Sequence, residues 1–513
     1  MNELTQHLGD LLADLPANLG GHMLLSLTAL AVGLAVSLPL GIAVSRRPRL
    51  AEWVLSVAGI LQTIPSLALL ALMVPLLGGM IGFWPAFVAM TLYSLLPIVA
   101  NTILGVRGVD GAYTEAARGL GMSDWQMLTR VQLPLAAPVI LGGIRTATVL
   151  VIGSATLATP VGQRTLGNYI FEGLNIRDNV MVLLGCVLAA LLAVVFDQLI
   201  RLLEVASRRR DVRLGRAAVA AIVLVTAVGL AQPVHAFLRP PANPVIVGTH
   251  DNTEQHILAE VLRDTLGRAG FDVDPRKCMA PQVTFESLRS GGIDCCVDYT
   301  GNLWQPVMRR KDRLPPDQTL REVTAFLRDQ HGIECLGALG FENAYALAVR
   351  REDAAKLGEP PSVTALARLG PKLRIAGDMQ FFQLDDWKRM KATYGLKFAE
   401  ERPMDQTLMY DALRNREVDV IAAYSTDGRV KAFDFVILKD PEMALPGYHA
   451  ILLVSGKALA KPGLREALTP LVGAIDQERM TTANKLVDVD RVWPREAARR
   501  LLGQLRPPPG ETR

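Results

Sequence analysis

Five apolar runs, at residues 24–44, 54–77, 80–104, 137–157 and 180–200, constrain this chain more than any other feature. Each is close to the ~20 residues an α-helix needs to cross a bilayer, where every backbone N–H and C=O must be satisfied internally. They predict an all-α transmembrane domain. Pro65, Pro75, Pro85 and Pro97 fall inside the runs, where neighbouring helices are expected to satisfy the freed backbone groups. Before them, Asp10 and Asp14 without any Lys or Arg in the first twenty residues read as an amphipathic lead-in rather than a cleavable signal. Half of the 513 residues are hydrophobic and a fifth are charged. Residues 244–513, however, have the mixed composition of a water-soluble domain. A net charge of +4 is too small at this length to argue for nucleic acid as a partner.

Lys and Arg accumulate on the cytoplasmic side of membrane proteins. Arg46, Arg47 and Arg49 follow the first run, Arg118 and Arg130 separate the third from the fourth, and Arg201, Arg208, Arg209, Arg210 and Arg213 follow the fifth. Placing all three clusters inside requires an outside N terminus and leaves residue 205 inside. The soluble half then needs one more crossing to lie outside. Residues 217–230 supply 14 apolar positions, behind arginines and ahead of Val234-His235-Ala236. Two readings fit: a short sixth helix that tethers the soluble half, which we favour, or an internal signal peptide cleaved near Ala236. Pro240, Pro241 and Pro244 make a stiff spacer. The expected division is a membrane domain at 1–212, tether and spacer at 213–243, and a soluble domain at 244–513.

Lipid cannot bury the polar island 115–134, EAARGLGMSDWQMLTRVQLP. Ala116, Ala117 and Leu120 favour helix, Gly121 interrupts it, and Ser123 with Gln126 makes a capping-box start for a second helix. Two short helices meeting at Gly121 form an elbow able to dock on a soluble partner. The bland alternative is an ordinary amphipathic loop. Glu115-Ala116-Ala117, Gly121, Val131, Leu133 and Pro134 stand at the spacing of the EAA loop of ABC importer permeases, with Val131 where Ile is usual, and the segment resembles that family. The resemblance implies that Glu115, Ala116, Ala117, Gly121, Leu133 and Pro134 couple to a cytoplasmic ABC ATPase subunit. It also implies a permease homodimer in the lipid of a bacterial inner membrane. No G-x-x-x-x-G-K-[ST] phosphate loop occurs in the chain, so ATP hydrolysis has to come from a separate polypeptide.

Strand patterns at 245–248, 271–273 and 293–297, helical ones at 256–266 and 283–288, and a second set running from 373–375 to 418–423 argue a two-lobed α/β domain with a largely parallel sheet. Val247-Gly248 with Thr253-Glu254-Gln255, Asp298-Tyr299-Thr300-Gly301, Asn343-Ala344-Tyr345-Ala346-Leu347 and Ala423-Tyr424-Ser425-Thr426-Asp427-Gly428 resemble the substrate-binding proteins of glycine betaine, carnitine and choline ABC importers. The implied fold is an all-α transmembrane permease domain followed by an α/β two-lobed periplasmic-binding-protein-like domain, with the latter on the outer side. A quaternary ammonium ligand has no N–H to donate and a diffuse charge, so several aromatic faces hold it best. The resemblance places such a cage at Tyr299, Tyr345, Tyr424 and Tyr448, the last within Leu445-Pro446-Gly447-Tyr448. Any single tyrosine is as commonly a core or surface residue. One in each motif, from nine in the chain, makes the set informative.

Relatives that hold a ligand carboxylate carry Lys and Arg where this chain has His250 and the run Phe381-Phe382-Gln383-Leu384. A carboxylate clamp is therefore missing or weakened, with protonated His250 a partial substitute. That keeps choline or a weakly held betaine in play. Gln255, Thr300 and Asn302 are the other candidate polar contacts. Arg309-Arg310-Lys311 reads as a solvated face, and Asp385 and Asp386 as helix-start acids. Outside the cytoplasm a disulfide from Cys335 to Cys278, Cys295 or Cys296 is permitted. Neither a C-x-x-C or His-rich metal set nor a G-x-S-x-G nucleophile motif occurs, so no metal, cofactor or hydrolase chemistry is expected. The reading is a permease fused to the receptor of an importer for quaternary ammonium solutes. A membrane-anchored solute sensor would need a cytoplasmic output domain, and an exported enzyme on an anchor would need polar catalytic groups in the cleft.

Overall fold

The computed structural model describes residues 2–175, 178–238, 243–250, 252–278, 281–310, 312, 314–445 and 448–505. Pro240 and Pro241 of the spacer, Lys311, and Pro446 and Gly447 lie outside the described residues. Two compact units divide the chain near residue 241.

The first unit is helical: α1 (Asn2–Ser45), α2 (Pro48–Thr63), α3 (Ser66–Leu76), α4 (Phe83–Arg107), α5 (Gly111–Gly119), α6 (Asp124–Met127), α7 (Leu133–Ala155), α8 (Gly167–Asn175), α9 (Asn179–Arg209) and α10 (Val212–Leu238). Among the described residues, Leu11–Ser45, Phe83–Arg107, Asp124–Val161, Asn179–Arg209 and Val212–Leu238 are long and apolar enough to cross a membrane, so the protein is a multi-pass membrane protein. The N-terminal lead-in is not separate; it is the first part of α1, with Leu11 buried. Nor is the run 54–77 one helix, because α2 and α3 bend by 96°. Pro65 has no N–H to continue the ladder and forces Ile64 extended (φ −68°, ψ 125°). The Ile64 carbonyl that this frees accepts the Tyr93 hydroxyl. At Pro97, by contrast, α4 continues.

Helix α4 is the core of this unit and packs against α1, α2, α3 and α7. Small residues set the spacing: a Cβ on Gly143 of α7 would lie 2.6 Å from the Pro97 carbonyl of α4. The basic clusters share one end of the bundle. Arg107 Nε donates to the Ser45 carbonyl at 2.6 Å, Arg46 lies 4.0 Å from Asp124, and Arg130 and Arg210 line one cavity of about 510 Å³. At the other end, a Cβ on Gly229 would fall on Met23 and one on Gly20 on Pro233. Helix α10 therefore runs from the arginine end back along α1, over roughly 40 Å at 1.5 Å per residue.

The second unit has two five-stranded sheets. One is ordered β2-β1-β3-β10-β4, from β1 (Pro244–His250), β2 (Asp272–Cys278), β3 (Cys295–Tyr299), β4 (Glu334–Glu342) and β10 (His449–Val454). The other is β7-β6-β8-β5-β9, from β5 (Tyr345–Arg350), β6 (Arg374–Gly377), β7 (Glu400–Pro403), β8 (Val420–Tyr424) and β9 (Phe435–Ile437). Both sheets are mixed rather than largely parallel. β1 and β3 run parallel, yet β10 returns from the second lobe antiparallel to both β3 and β4, and β5 is antiparallel to β8 and β9. The chain passes between lobes from β4 to β5 and from β9 to β10, and those two passages form the hinge.

The permitted disulfide is not formed: Cys295 and Cys335 carry free thiols and Cys296 is in no disulfide. The Cys278 side chain lies outside the described residues. Arg310 is more than solvated surface, since it pairs with Asp312 at 2.6 Å and its guanidinium sits 4.6 Å over the Trp304 ring.

Candidate functional site

Strand register brings Tyr345 and Tyr424 together. They are direct partners across β5 and β8, so their side chains emerge side by side. Their ring centroids are 4.6 Å apart, and Phe381 stands 5.1 Å from Tyr345. The Tyr424 hydroxyl contacts that of Tyr345 at 2.7 Å, and both hydroxyls reach Asp378 Oδ2, at 2.9 Å from Tyr345 and 3.0 Å from Tyr424. The Asp378 backbone follows β6, and its Oδ1 accepts the Phe381 N–H at 2.7 Å.

Tyr299 ends β3 and is buried; its hydroxyl donates to Glu254 Oε1. Glu254 lies in the first turn of α11 (Thr253–Arg268), 5% exposed, and also accepts from Asn343 Nδ2 at 3.0 Å and Asn484 Nδ2 at 2.8 Å. Tyr448 precedes β10 at the hinge and reaches Asp386 Oδ2 at 3.0 Å. Its ring lies over Gly301, where a Cβ would be 2.3 Å from the ring. Burial first, and neighbouring carboxylates second, push the phenols of Tyr299 and Tyr345 above their ordinary range. For Tyr424 the causes are burial, then Tyr345 and Asp378. These phenols stay protonated and act as donors.

The predicted polar residues fare unequally. Thr300 is fully buried, and among the described residues neither its Oγ1 nor Asn343 Oδ1 has a hydrogen-bond partner. Gln255 is buried beside the Tyr299 hydroxyl. The Asn302 amide is committed to Asp298 Oδ1 at 2.7 Å. His250 is 4% exposed, with Nε2 3.9 Å from Asp298. Burial pushes its imidazole below the ordinary range, with Asp298 only partly offsetting. Its burial therefore disfavours the charged form. Sequence reasoning also passed over Asp378, Asp386 and Glu254. Of these, Glu254 was visible within the Thr253-Glu254-Gln255 motif, and Asp386 was read only as a helix-start acid. Among the described residues no group of three His, Cys, Asp or Glu side chains is placed to hold a metal.

The elbow in the membrane unit is built as its local sequence dictates. Asp110 caps α5, Gly121 turns the chain at φ +76°, and Ser123 with Gln126 forms a complete capping box. The second arm is not a separate helix. It passes through a π-helical turn, Leu128–Gln132, straight into α7, so Leu133 and Pro134 stand at the base of a membrane span. Glu115, Ala116 and Gly121 are exposed, whereas Ala117 is buried against the unit. Leu120 and Trp125, 79% and 72% exposed, add an apolar tip.

Comparison with known proteins matches each unit. Residues 243–504 match the family described as the substrate binding domain of ABC-type glycine betaine transport system, and residues 33–209 the binding-protein-dependent transport system inner membrane component. The chain is 28% identical over 470 residues to an ergothioneine transport permease/ergothioneine binding protein of Helicobacter pylori (strain G27), covering 88% of this chain and 83% of that one. It is 44% identical over 176 residues to a carnitine transport permease protein of Listeria monocytogenes, covering 34% of this chain and 80% of the relative. A choline transport system permease protein of Bacillus subtilis (strain 168) is 44% identical over 183 residues, covering 36% of this chain and 83% of the relative.

Proposed function

This chain belongs to the family of substrate-binding domains of ABC-type glycine betaine transport systems and carries an inner-membrane transport component in the same polypeptide; from that premise we propose that it takes up quaternary ammonium solutes. It is a transporter component, not an enzyme, and its family works with an ATPase partner. In the proposed cycle the two lobes close on the cation at the hinge, the permease acts as a homodimer, and the ATPase acts on the elbow at Gly121. Because α6 runs into α7, a push on the exposed tip is a push on a membrane span.

The observation that supports the solute class is the pairing of Tyr345 and Tyr424 across β5 and β8, with Tyr299 and Tyr448 brought to the same hinge. A cation held on desolvated rings gains about 2 kcal/mol per good contact. Calorimetry of the full chain in nanodiscs against choline, carnitine, glycine betaine and ergothioneine tests this. Tyr424→Ala is expected to weaken binding by roughly tenfold or more. Turnover of the ligand, or binding indifferent to that substitution, would overturn it. Ergothioneine, a zwitterion with a trimethylammonium group and a carboxylate, is a second reading, favoured by the relative with the same fused arrangement.

A further inference from the structure

The hydroxyl groups of the four tyrosines all end on carboxylates. Tyr299 donates to Glu254, Tyr345 and Tyr424 converge on Asp378, and Tyr448 reaches Asp386. Asp386 has a cation 3.6 Å away, in Arg389. Glu254 and Asp378 do not resemble it. The other donors to Glu254 are the neutral amides of Asn343 and Asn484, and the other donor to Asp378 is a backbone N–H. Among the described residues no Lys or Arg forms an ion pair with either.

We propose that Glu254 and Asp378 are the specificity-determining residues of the site and make it select solutes of net charge +1 over zwitterions. The inference rests on the cage reading above. Two carboxylates without counter-ions set behind the rings supply a negative potential that a trimethylammonium group neutralises. A phenol donating to a carboxylate also carries more electron density on its ring, which strengthens the face presented to the cation. A ligand that brings its own carboxylate into the same cleft meets like charge in a poorly screened environment. Burial disfavours the charged form of His250, so that side chain is a poor partner for a ligand carboxylate.

The test is calorimetry of the full chain in nanodiscs at pH 7 with choline and glycine betaine as probes, on the wild type, Asp378→Asn, Asp378→Glu and Glu254→Gln. Asp378 is only half-buried, so its isosteric amide is the variant of choice; melting curves check that each protein is folded. The wild type is expected to bind choline more tightly than glycine betaine. Asp378→Asn is expected to lower the choline-to-betaine affinity ratio by about tenfold, the scale of one charge contact at a partly desolvated site, and Asp378→Glu to recover part of it. Glu254→Gln should move the ratio the same way. Binding of both probes with a ratio unchanged in the neutral variants would overturn the proposal and leave the cage standing. A folded wild type that binds no quaternary amine would overturn the cage, and the proposal with it.

Discussion

One absent methyl group decides where Tyr448 can stand. Because a Cβ at position 301 would lie 2.3 Å from its ring, Gly301→Ala must drive Tyr448 off Asp386. The expected result is roughly tenfold weaker cation binding by calorimetry, with a folding penalty of about 1–3 kcal/mol for the overlap. Unchanged binding would mean that Tyr448 is not a cage member. His250 offers a separate test. Its folded pKa is depressed by burial, so its contribution to stability is present above the unfolded value of ~6.5 and is lost as pH falls through that range. Burial raises the pKa of Asp298, which acts in the opposite sense at lower pH. After division by the intrinsic exchange rate, which itself falls with pH, the protection of β3 amides in the full chain should therefore decrease between pH 7 and 5.5, and His250→Gln should flatten that slope. At this scale the proposed cage tyrosines can be named from the sequence because each sits in its own short motif. Their acid partners were not, since Glu254 and Tyr299 meet only once β3 and α11 are packed, and Asp378 meets Tyr345 and Tyr424 only once β6 pairs with β8 and β8 with β5.

Among elements, those set by local chemistry were legible and those set by distant packing were not. The capping box at Ser123, the turn at Gly121 and strands β1, β2, β3, β6 and β8 of the soluble unit follow from neighbouring residues. The direction of β10 does not, because it depends on which lobe the chain has just left. The bend at Pro65 depends on Tyr93, 28 residues on, to satisfy the carbonyl it frees. The first arm of the elbow, α5, has nine residues, and a helix this short is marginal without caps and packing. Gly121→Ala forces an L-residue to a left-handed φ and Ser123→Ala removes a cap, each at a cost of about 1 kcal/mol. Because both act far from the cleft in sequence and in a different unit, ligand affinity should stay unchanged. Ligand-stimulated ATP hydrolysis in proteoliposomes with the ATPase should fall severalfold. Equal loss of ligand binding would show that the elbow does not act in coupling. Trp125→Ala at the exposed tip is expected to reduce co-purification of the ATPase.

For the whole molecule, the arrangement of helix ends fixes how many times the chain must cross. Arg107 bonding to the end of α1 sets the C-terminal ends of α1 and α4 side by side, so α2 and α3, bent as they are, together return the chain across the layer as one broken span. α7 and α9 then lead away from and back to the arginine end, and α10 leads away again, ending beside the N-terminal half of α1. Lys and Arg accumulate on the cytoplasmic side, so the proposed orientation puts the arginine end in the cytoplasm. In that proposed orientation α10 ends on the outer side. α10 continues as helix through Ala236, and a tether rather than a processed signal is the reading proposed for it. Protease added to intact spheroplasts should therefore degrade residues 243–505 while sparing the elbow, and the untreated protein should run as one full-length band. Fragments cut at 108–124 from outside would reverse the orientation. Release of the soluble unit into the periplasm without protease would show instead that the orientation holds and the tether does not.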